Sequence, residues 1–495
     1  MKLKDLLREV PVTELHADSE MEIGEVFYDS RKVTPGSLFV AVSGFASDGN
    51  RFIPMALQKG AAVVVTARRP QEEIPYVLVE SDRLALALIS ANYFGRPAQR
   101  MQVIGVTGTN GKTSVTLLLK QVLEKCLGAK VGLVGTMGNL IGDEMIPTER
   151  TTPESFELQA LFARMADAGC AYAVMEVSSH AVSLERIGGI RFAAAAFTNL
   201  TEDHLDFHKT MDAYCDAKAE LFRRCDRAVV NVDDSYAGRI LRACACPVLT
   251  TSVTGEGDIT AKDVALHAEG IGFTAVTKGE AVPVKLGIPG RFTVYNALTV
   301  LGLGTCLGIS LGRCAAALAD ARGVKGRVEV VPTPETPYSV LIDYAHTPDG
   351  LENVLKSVQD FCKGRVIAVF GCGGDRDPLK RPIMGEIGVK YSDFAVITSD
   401  NPRTEAPMAI IGDILAGIRK EYGPYIVMED RRAAIRYAMD IAEKDDIIVL
   451  AGKGHETYQD IGGHKHHLDE REEVAAHLTQ RTGEILPKGM VIDNG

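Results

Sequence analysis

Three observations in the sequence predict an α/β protein of three domains, the two larger ones carrying mostly parallel sheets. From residue 101 onward, short apolar β-branched runs alternate with helical patterns, as in sheets covered on both faces by crossover helices. A glycine turn, Gly108–Thr113, joins the apolar run Met101–Val106 to the helical stretch Ser114–Leu123. At 495 residues the chain is also too long for one core, and roughly 150 residues per domain argues for three.

Composition narrows the function. The chain is 46% apolar and 24% charged, as globular proteins are. A formal net charge of −11 speaks against a nucleic-acid or acidic-membrane partner, while a local basic pocket for a small anion stays open. The ten cysteines include no Cys-x-x-Cys pair, so zinc and dithiol-redox spacings are missing, and free thiols suit a reducing cytoplasm. The first residues form no apolar run of signal-peptide length, and no window approaches the ~18 apolar residues of a membrane span.

Residues 1–98 read as a small mixed α/β N-terminal domain. Strands are expected in Val26–Arg31 and Ser37–Val42 around the turn Val33–Gly36, then a helix near Arg51–Lys59, strand Ala61–Thr66 and helix Arg83–Phe94. Residues 99–325 read as a central P-loop-type ATPase domain. After the glycine turn, Val115, Leu118, Leu119 and Val122 share one helix face, and strands are expected at Lys130–Val134, Ala171–Val177, Ala193–Phe197 and Arg227–Asn231. A helical pattern after Tyr295 closes this domain near Arg322. Gly323–Pro337 has linker composition, and residues 326–495 read as a Rossmann-like C-terminal domain. Its strands are Ser339–Ile342, Val366–Phe370, Phe394–Thr398 and Ile447–Ala451; its helices are Asp349–Cys362, Pro382–Tyr391, Met408–Glu421 and Arg432–Glu443. Ligands of such sheets gather at the strands' carboxyl ends. Here each strand runs into a polar or glycine-bearing loop: Asp343–Pro348, Gly371–Arg376, Ser399–Arg403 and Gly452–Glu456.

The glycine turn carries the first chemistry. Its backbone N–H groups and the helix N-terminus suit a phosphate chain, Lys112 adds a cation near the β/γ-phosphates, and Thr113 a hydroxyl for Mg²⁺. Val106 stands where the general P-loop has its first glycine, leaving the shorter pattern Gly108-x-x-Gly-Lys-Thr. Glu176, ending a strand, is where a P-loop fold holds its magnesium acid. In Asn199–His208, carboxylates mix with imidazoles. A lone His is an unusual Mg²⁺ ligand, and His204 and His208, four apart, keep zinc as a minor alternative. By spacing alone Lys218 reads as a solvated helical lysine. Gly371–Arg376 fails the dinucleotide pattern because Arg376 replaces the last glycine; with Arg403 it reads instead as a clamp for carboxylate or phosphate. His464, His466 and His467 beside Gly462-Gly463 read as a hairpin tip, and Ser178-Ser179-His180 lacks a nucleophile elbow. Together these residues suggest ATP-driven chemistry on an anionic substrate.

The motifs Thr107–Thr113, Glu176–His180, Asn199–Asp206, Tyr295-Asn296, Asp343–His346 and Gly452–Glu456 resemble the Mur ligases, ATP-dependent amino-acid ligases of peptidoglycan precursor synthesis. Asp29-Ser30-Arg31, Gly371–Arg376 and Asp400–Arg403 look like the branch that adds a third residue to UDP-N-acetylmuramoyl-L-alanyl-D-glutamate. Asp-Asn-Pro-Arg there accompanies meso-diaminopimelate. The resemblance implies that a glutamyl carboxylate takes the γ-phosphate of ATP and that the incoming amine displaces it from the acyl phosphate. It assigns Gly108, Thr109, Asn110, Gly111, Lys112, Thr113, Asn296, Arg327 and Asp343 to ATP. Ser30, Thr151, Thr152, Ser178 and Arg186 would contact the UDP-muramoyl-dipeptide, and Arg376, Asp400, Asn401, Pro402, Arg403, Gly452 and Glu456 the diaminopimelate. Two Mg²⁺ ions would be held by Thr113, Glu176, His204 and Lys218, the last as an N6-carboxylysine formed with CO₂, and Lys112, Lys218, Glu176 and His204 would be catalytic. A monomer is expected, with a C-terminal domain that closes as ligands bind. Leu184 and Phe45-Ala46-Ser47 depart from the family pattern at the nucleotide-sugar contacts. The rival readings are the lysine-adding branch, a folylpolyglutamate synthase-like ligase, and a nucleotide switch that hydrolyses ATP without ligating.

Overall fold

Alternating apolar runs and helices fold into three main sheets in a computed structural model that describes residues 1–44, 48–148, 150–321, 323 and 325–480. The Phe45-Ala46-Ser47 stretch and Arg322 lie outside the described residues. The chain divides into two compact units: Met1–Thr260 with Asn296–Ala317, and Ala261–Tyr295 with the chain from Leu318 on.

The first unit opens with strands β1 (Val12–His16), β2 (Val26–Phe27), β3 (Leu38–Val40), β4 (Val63–Thr66) and β5 (Tyr76–Val79), in spatial order β1-β5-β4-β3-β2. β1 is antiparallel to β5 and the other neighbours are parallel. Helix Asp82–Tyr93 packs on this sheet; its N-terminus is capped by Ser81, whose hydroxyl accepts the Leu84 N–H. The same unit then builds β6 (Gln102–Thr107), β7 (Val131–Gly135), β8 (Gly138–Ile141), β9 (Glu144–Ile146), β10 (Tyr172–Glu176), β11 (Ala194–Phe197), β12 (Ala228–Asn231) and β13 (Val248–Ser252). Their order is β13-β12-β11-β6-β10-β7-β8-β9, parallel from β13 to β7 and ending in antiparallel hairpins. β6 is thus flanked by β10 and β11, and the helix after it, Lys112–Leu127, buries Val115, Leu118, Leu119 and Val122 as its spacing requires.

The chain passes through β14 (Ile259–His267) into the second unit, which adds the antiparallel hairpin β15 (Gly270–Val276) and β16 (Ala281–Leu286). Its main sheet holds β17 (Glu329–Val331), β18 (Ser339–Asp343), β19 (Val366–Phe370), β20 (Phe394–Thr398), β21 (Tyr425–Met428) and β22 (Ile447–Ala451), in order β17-β18-β22-β19-β20-β21. Only β17 is antiparallel to its neighbour. A last hairpin, β23 (Tyr458–Ile461) and β24 (His464–His467), turns at Gly462-Gly463, as the sequence suggests.

The strands expected over Val26–Arg31 and Ser37–Val42 are shorter, Val26–Phe27 and Leu38–Val40, and two further expectations need correction. Gly323–Pro337 is not plain linker, because Glu329–Val331 pairs with β18. The helix expected over Met408–Glu421 spans Pro407–Leu415. It stops where Gly417 presses on the backbone of the helix Lys380–Lys390: a Cβ there would lie 1.8 Å from the Pro382 carbonyl oxygen.

Candidate active site

In the first unit the glycine loop runs from the carboxyl end of β6, between the ends of β10 and β11. It is packed too closely for larger residues. A Cβ on Gly108 (φ +147°) would lie 1.9 Å from Thr198 Oγ1, and one on Gly111 (φ +85°) 2.4 Å from Asn296 Oδ1. Thr198 donates to the Asn110 carbonyl at 2.6 Å, and the Asn110 N–H donates to Asn199 Oδ1 at 2.9 Å. Lys112 folds back over the loop, donating to the carbonyls of Gly108 (3.0 Å) and Thr109 (2.7 Å). Gly108–Thr113 and Asn296 therefore form one cluster.

Beside the loop, the Thr113 hydroxyl donates to Glu176 Oε1 at 3.0 Å. The Thr136 N–H (2.9 Å) and hydroxyl (3.1 Å) hold the same carboxylate from the other side. A hydroxyl and a buried carboxylate at the start of the loop helix are hard oxygen donors, the set that Mg²⁺ prefers. Behind them, Thr152 donates to the Glu176 carbonyl (2.8 Å), and Ser178 caps helix Ser179–Ser183 through the Ala181 N–H (3.2 Å). Arg186 donates to the Thr152 carbonyl (3.1 Å) and pairs with Glu154 (3.2 Å), while burial lowers its pKa from the ordinary arginine value. Thr151 meets Thr136 at 3.0 Å, so Thr151, Thr152, Ser178 and Arg186 adjoin the Glu176 strand end. Ser30 is buried after β2, its hydroxyl 3.5 Å from Met55 Sδ.

Lys218 overturns its solvated reading. It is only 1% exposed, donates to the Gly108 carbonyl at 2.8 Å and lies 4.4 Å from the centre of the Tyr214 ring. Burial, and secondarily the Lys112 charge, push its pKa well below the ordinary lysine value. Tyr214 in turn shares a 3.2 Å hydrogen bond with Thr109 and is pushed up to about 12 by burial. His204 sits in a left-handed backbone position (φ 54°), its ring against His180 at 4.9 Å and 6.1 Å from the Tyr214 ring. His208 is buried and shares a 2.8 Å hydrogen bond with Ser179. Among the described residues no group of three or more His, Cys, Asp and Glu is arranged to hold a metal.

In the second unit the four polar loops leave the carboxyl ends of β18, β22, β19 and β20, which are neighbours in that order. Arg403 (φ 49°) donates through Nη1 to the Gly374 carbonyl at 2.5 Å. Gly373 lies between the two arginines; a Cβ on it would be 3.0 Å from Arg403 Nη1 and 3.9 Å from Arg376 Cγ. Asn401 donates to Glu456 Oε2 at 2.9 Å, and Gly452 (φ +117°) lies against Asp400, whose Oδ2 a Cβ would meet at 2.4 Å. Pro402 is buried in the same turn, a Cβ on Gly374 falling 2.0 Å from its carbonyl oxygen. Arg376, Asp400, Asn401, Pro402, Arg403, Gly452 and Glu456 thus belong to one cluster. Asp343 lies at the β18 end, accepting the Val328 N–H at 2.8 Å; burial raises its pKa, opposed by the Arg327 charge. Arg327 also lies over the Tyr344 ring at 5.3 Å.

Several supporting residues escaped the sequence reading. Lys453 is fully buried and donates to Asn401 Oδ1 at 2.9 Å. The β23–β24 hairpin is laced to Asp400–Arg403: Gln459 Nε2 donates to the Asp400 carbonyl (2.6 Å), and the N–H of Arg403 donates to the Asp460 carbonyl (2.9 Å). Arg381, 3% exposed, grips Glu405 and Asp413, and Glu405 accepts the Asp375 N–H at 2.6 Å. The position of Lys453 between two motif glycines was its one sequence signal.

A phosphate-type loop with an oxygen-donor pair, and a second parallel sheet with a loop pocket of both charges, define a nucleotide-binding α/β protein of ligase type. The chain belongs to the Mur ligase family: residues 22–93 match the Mur ligase family catalytic domain, 106–304 the Mur ligase middle domain and 326–454 the Mur ligase glutamate ligase domain. It is 46% identical to the UDP-N-acetylmuramoyl-L-alanyl-D-glutamate--2,6-diaminopimelate ligase of Clostridium tetani, over 96% of this chain and 98% of that protein. It is 47% identical to the enzyme of the same name from Caldanaerobacter subterraneus, over 97% and 99%. A solved structure of a UDP-N-acetylmuramoyl-L-alanyl-D-glutamate--2,6-diaminopimelate ligase matches with TM-score 0.76 at 30% identity, covering 98% of this chain and all of the other.

Proposed function

We propose that the protein is an ADP-forming ligase that joins meso-2,6-diaminopimelate to UDP-N-acetylmuramoyl-L-alanyl-D-glutamate, at the expense of ATP, in cytoplasmic peptidoglycan precursor synthesis. The observation that carries this reading is the cluster of Arg376, Asn401, Arg403 and Glu456, cations and an acid gathered at neighbouring strand ends. Diaminopimelate has an amine and a carboxylate at each end. Arg403 would take the distal carboxylate and Glu456 the ammonium beside it. L-lysine lacks that carboxylate and would leave Arg403 without a ligand partner.

The loop amides and Lys112 would hold the β/γ-phosphates, with Asn296, Arg327 and Asp343 serving the rest of the nucleotide. Ser30 would contact the uridine end, and Thr151, Thr152, Ser178 and Arg186 the muramoyl-dipeptide. The glutamyl carboxylate attacks the γ-phosphorus, ADP leaves, and the amine of the bound amino acid then displaces phosphate from the acyl phosphate. Mg²⁺ held by Thr113 and Glu176 would neutralise phosphate charge, with His204 and a carbamylated Lys218 serving a second ion. The buried Lys218 amine, its pKa pushed well down by burial and secondarily by the Lys112 charge, supports the carbamate: the neutral amine is the form that adds to CO₂, and the anionic product would lie near the Lys112 cation. Functionally, residues 1–98 would serve UDP, 99–325 ATP and 326–495 the amino acid, in a monomer. Among the described residues no helix is long and apolar enough to cross a membrane.

Phosphate release tests the reading. Release that needs both UDP-N-acetylmuramoyl-dipeptide and an amino acid, with meso-diaminopimelate far better than L-lysine, is expected. Release with ATP alone would make the protein a non-ligating switch, and equal use of lysine would remove the diaminopimelate assignment.

A further inference from the structure

Lys453 has no place in the roles above, yet it is a fully buried lysine inside the amino-acid cluster. Burying an ammonium is costly unless it is paired and hydrogen-bonded. Its Nζ lies 2.9 Å from Asn401 Oδ1, 3.4 Å from Glu456 Oε2 and 3.8 Å from Asp400 Oδ1, with the Tyr458 ring centre at 5.8 Å. The Asn401 oxygen also receives the Asp460 backbone N–H at 2.9 Å. A backbone N–H and an ammonium can only donate, so the atom facing both must be the amide oxygen. That fixes the orientation of the Asn401 amide and turns its NH₂ to Glu456 Oε2 at 2.9 Å. One of the two amide hydrogens is used there; the other is left to donate to a ligand.

We propose that Lys453 is the positioning residue of the amino-acid pocket, holding Asn401 as a hydrogen-bond donor and Glu456 by one oxygen so that both face the amino acid in fixed orientations. The inference rests on the diaminopimelate reading above. Lys453 is the cation nearest both Asp400 and Glu456, whose charges also act on the buried Arg431, itself paired with Glu470, so it tempers the acid side of the pocket that would meet a substrate ammonium. The Asn401 N–H and Arg403 are then left for the carboxylate. Without Lys453 the Asn401 amide has lost one of the two donors that orient it, and Asp400 and Glu456 have lost the cation that touches Glu456 at 3.4 Å and Asp400 at 3.8 Å.

The test is steady-state phosphate release by Lys453→Met and Asn401→Asp, varying each substrate in turn. Asn401→Asp keeps an oxygen for Lys453 and Asp460 and deletes the donor, so it reads the same function without emptying the buried site. Both variants are expected to raise KM for diaminopimelate by about 30-fold, the scale of one lost charge-assisted hydrogen bond, while KM for ATP and for the UDP-muramoyl-dipeptide moves by less than about threefold. If Lys453→Met fails to fold, Lys453→Gln, neutral but still polar in the buried site, decides. A diaminopimelate KM unchanged in the folded Lys453 variant, or equal rises for all three substrates, overturns the assignment. Wild-type protein that releases no phosphate in response to diaminopimelate overturns the underlying activity as well, which separates the two failures.

Discussion

Arg403→Ala isolates the group that should tell diaminopimelate from lysine. The turn that carries Arg403 is held by its backbone: its N–H donates to the Asp460 carbonyl at 2.9 Å, and its own carbonyl accepts the Gly462 N–H at 2.6 Å. Neither bond involves the side chain, so the loop should survive the substitution. Arginine already occupies the left-handed position (φ 49°), so alanine there adds no new Cβ strain. The side chain spends Nη1 on the Gly374 carbonyl at 2.5 Å, leaving its other N–H groups for a carboxylate. A hydrogen bond to a charged group contributes about 1.5–3 kcal/mol, so its loss should raise KM for diaminopimelate about 10- to 150-fold. Lysine has no distal carboxylate to lose, so its kcat/KM should stay put and the preference for diaminopimelate should shrink by the same factor. Arg403→Lys should recover only part of the loss, because an ammonium is a point charge and not a two-pronged donor. The assay is phosphate release with diaminopimelate or lysine varied at saturating ATP and UDP-muramoyl-dipeptide. Equal KM rises for ATP and diaminopimelate, or an unchanged preference between the amino acids, would refute the reasoning.

Other substitutions probe the remaining parts. Gly108→Ala must push its Cβ away from Thr198 Oγ1, 1.9 Å off, and the resulting shift of the phosphate loop should cut kcat/KM for ATP about 100-fold; near-normal ATP kinetics would show that the loop tolerates a side chain. Lys218→Ala should lose activity that bicarbonate does not restore and a short-chain carboxylate does restore in part; full activity in the unsupplemented variant would remove the carbamate. For pH, burial pushes the Asp446 carboxyl up, but hydrogen bonds from the Arg365 guanidinium and from the Glu443 and Arg365 N–H groups prevail and hold it below 3.8. A depressed carboxyl adds stability that is present above 3.8 and is lost as pH falls through its folded value. Asp446→Asn should therefore lower Tm at neutral pH and flatten the acid side of the Tm–pH curve, and parallel curves would count against it.

How much of this was legible in the sequence follows from how each signal arises. Val366–Phe370, Phe394–Thr398 and Ile447–Ala451 fall where expected because strands buried on both faces are continuous apolar runs bounded by polar loops. Val12–His16 was missed for the opposite reason: it has no fully buried residue and reads as polar chain. β14 is buried mainly at its start, and its later residues alternate weakly. The strand Glu329–Val331 hid in proline-rich surroundings because its pairing with β18 is a tertiary fact. Motif residues were legible because their chemistry is local. Lys218 was legible only through the family resemblance, since by spacing its neighbours Asp216 and Glu220 mark a wet helix, and its burial comes from the Gly108 loop, 110 residues away, and from Tyr214.

That non-local burial points to a common construction in the two units. At each sheet's carboxyl end, a loop of the candidate site is positioned in part by residues at the ends of other strands. Gly108 is pressed on Thr198 after β11, and Gly135 on Glu176, whose Oε1 a Cβ would meet at 2.4 Å. In the second unit, Gly371 is pressed on the Thr398 carbonyl, with 2.2 Å to a Cβ, and Gly452 on Asp400. Each glycine permits a close approach that a side chain would obstruct. A site built this way gains precision from rigid strands, but no loop can be exchanged alone. Replacing Asp400–Arg403 to change the amino acid accepted would also have to preserve its fits to Gly371, Gly452 and Lys453. On the proposed function, the tetrapeptide would select the amino acid only in the frame that these neighbours supply.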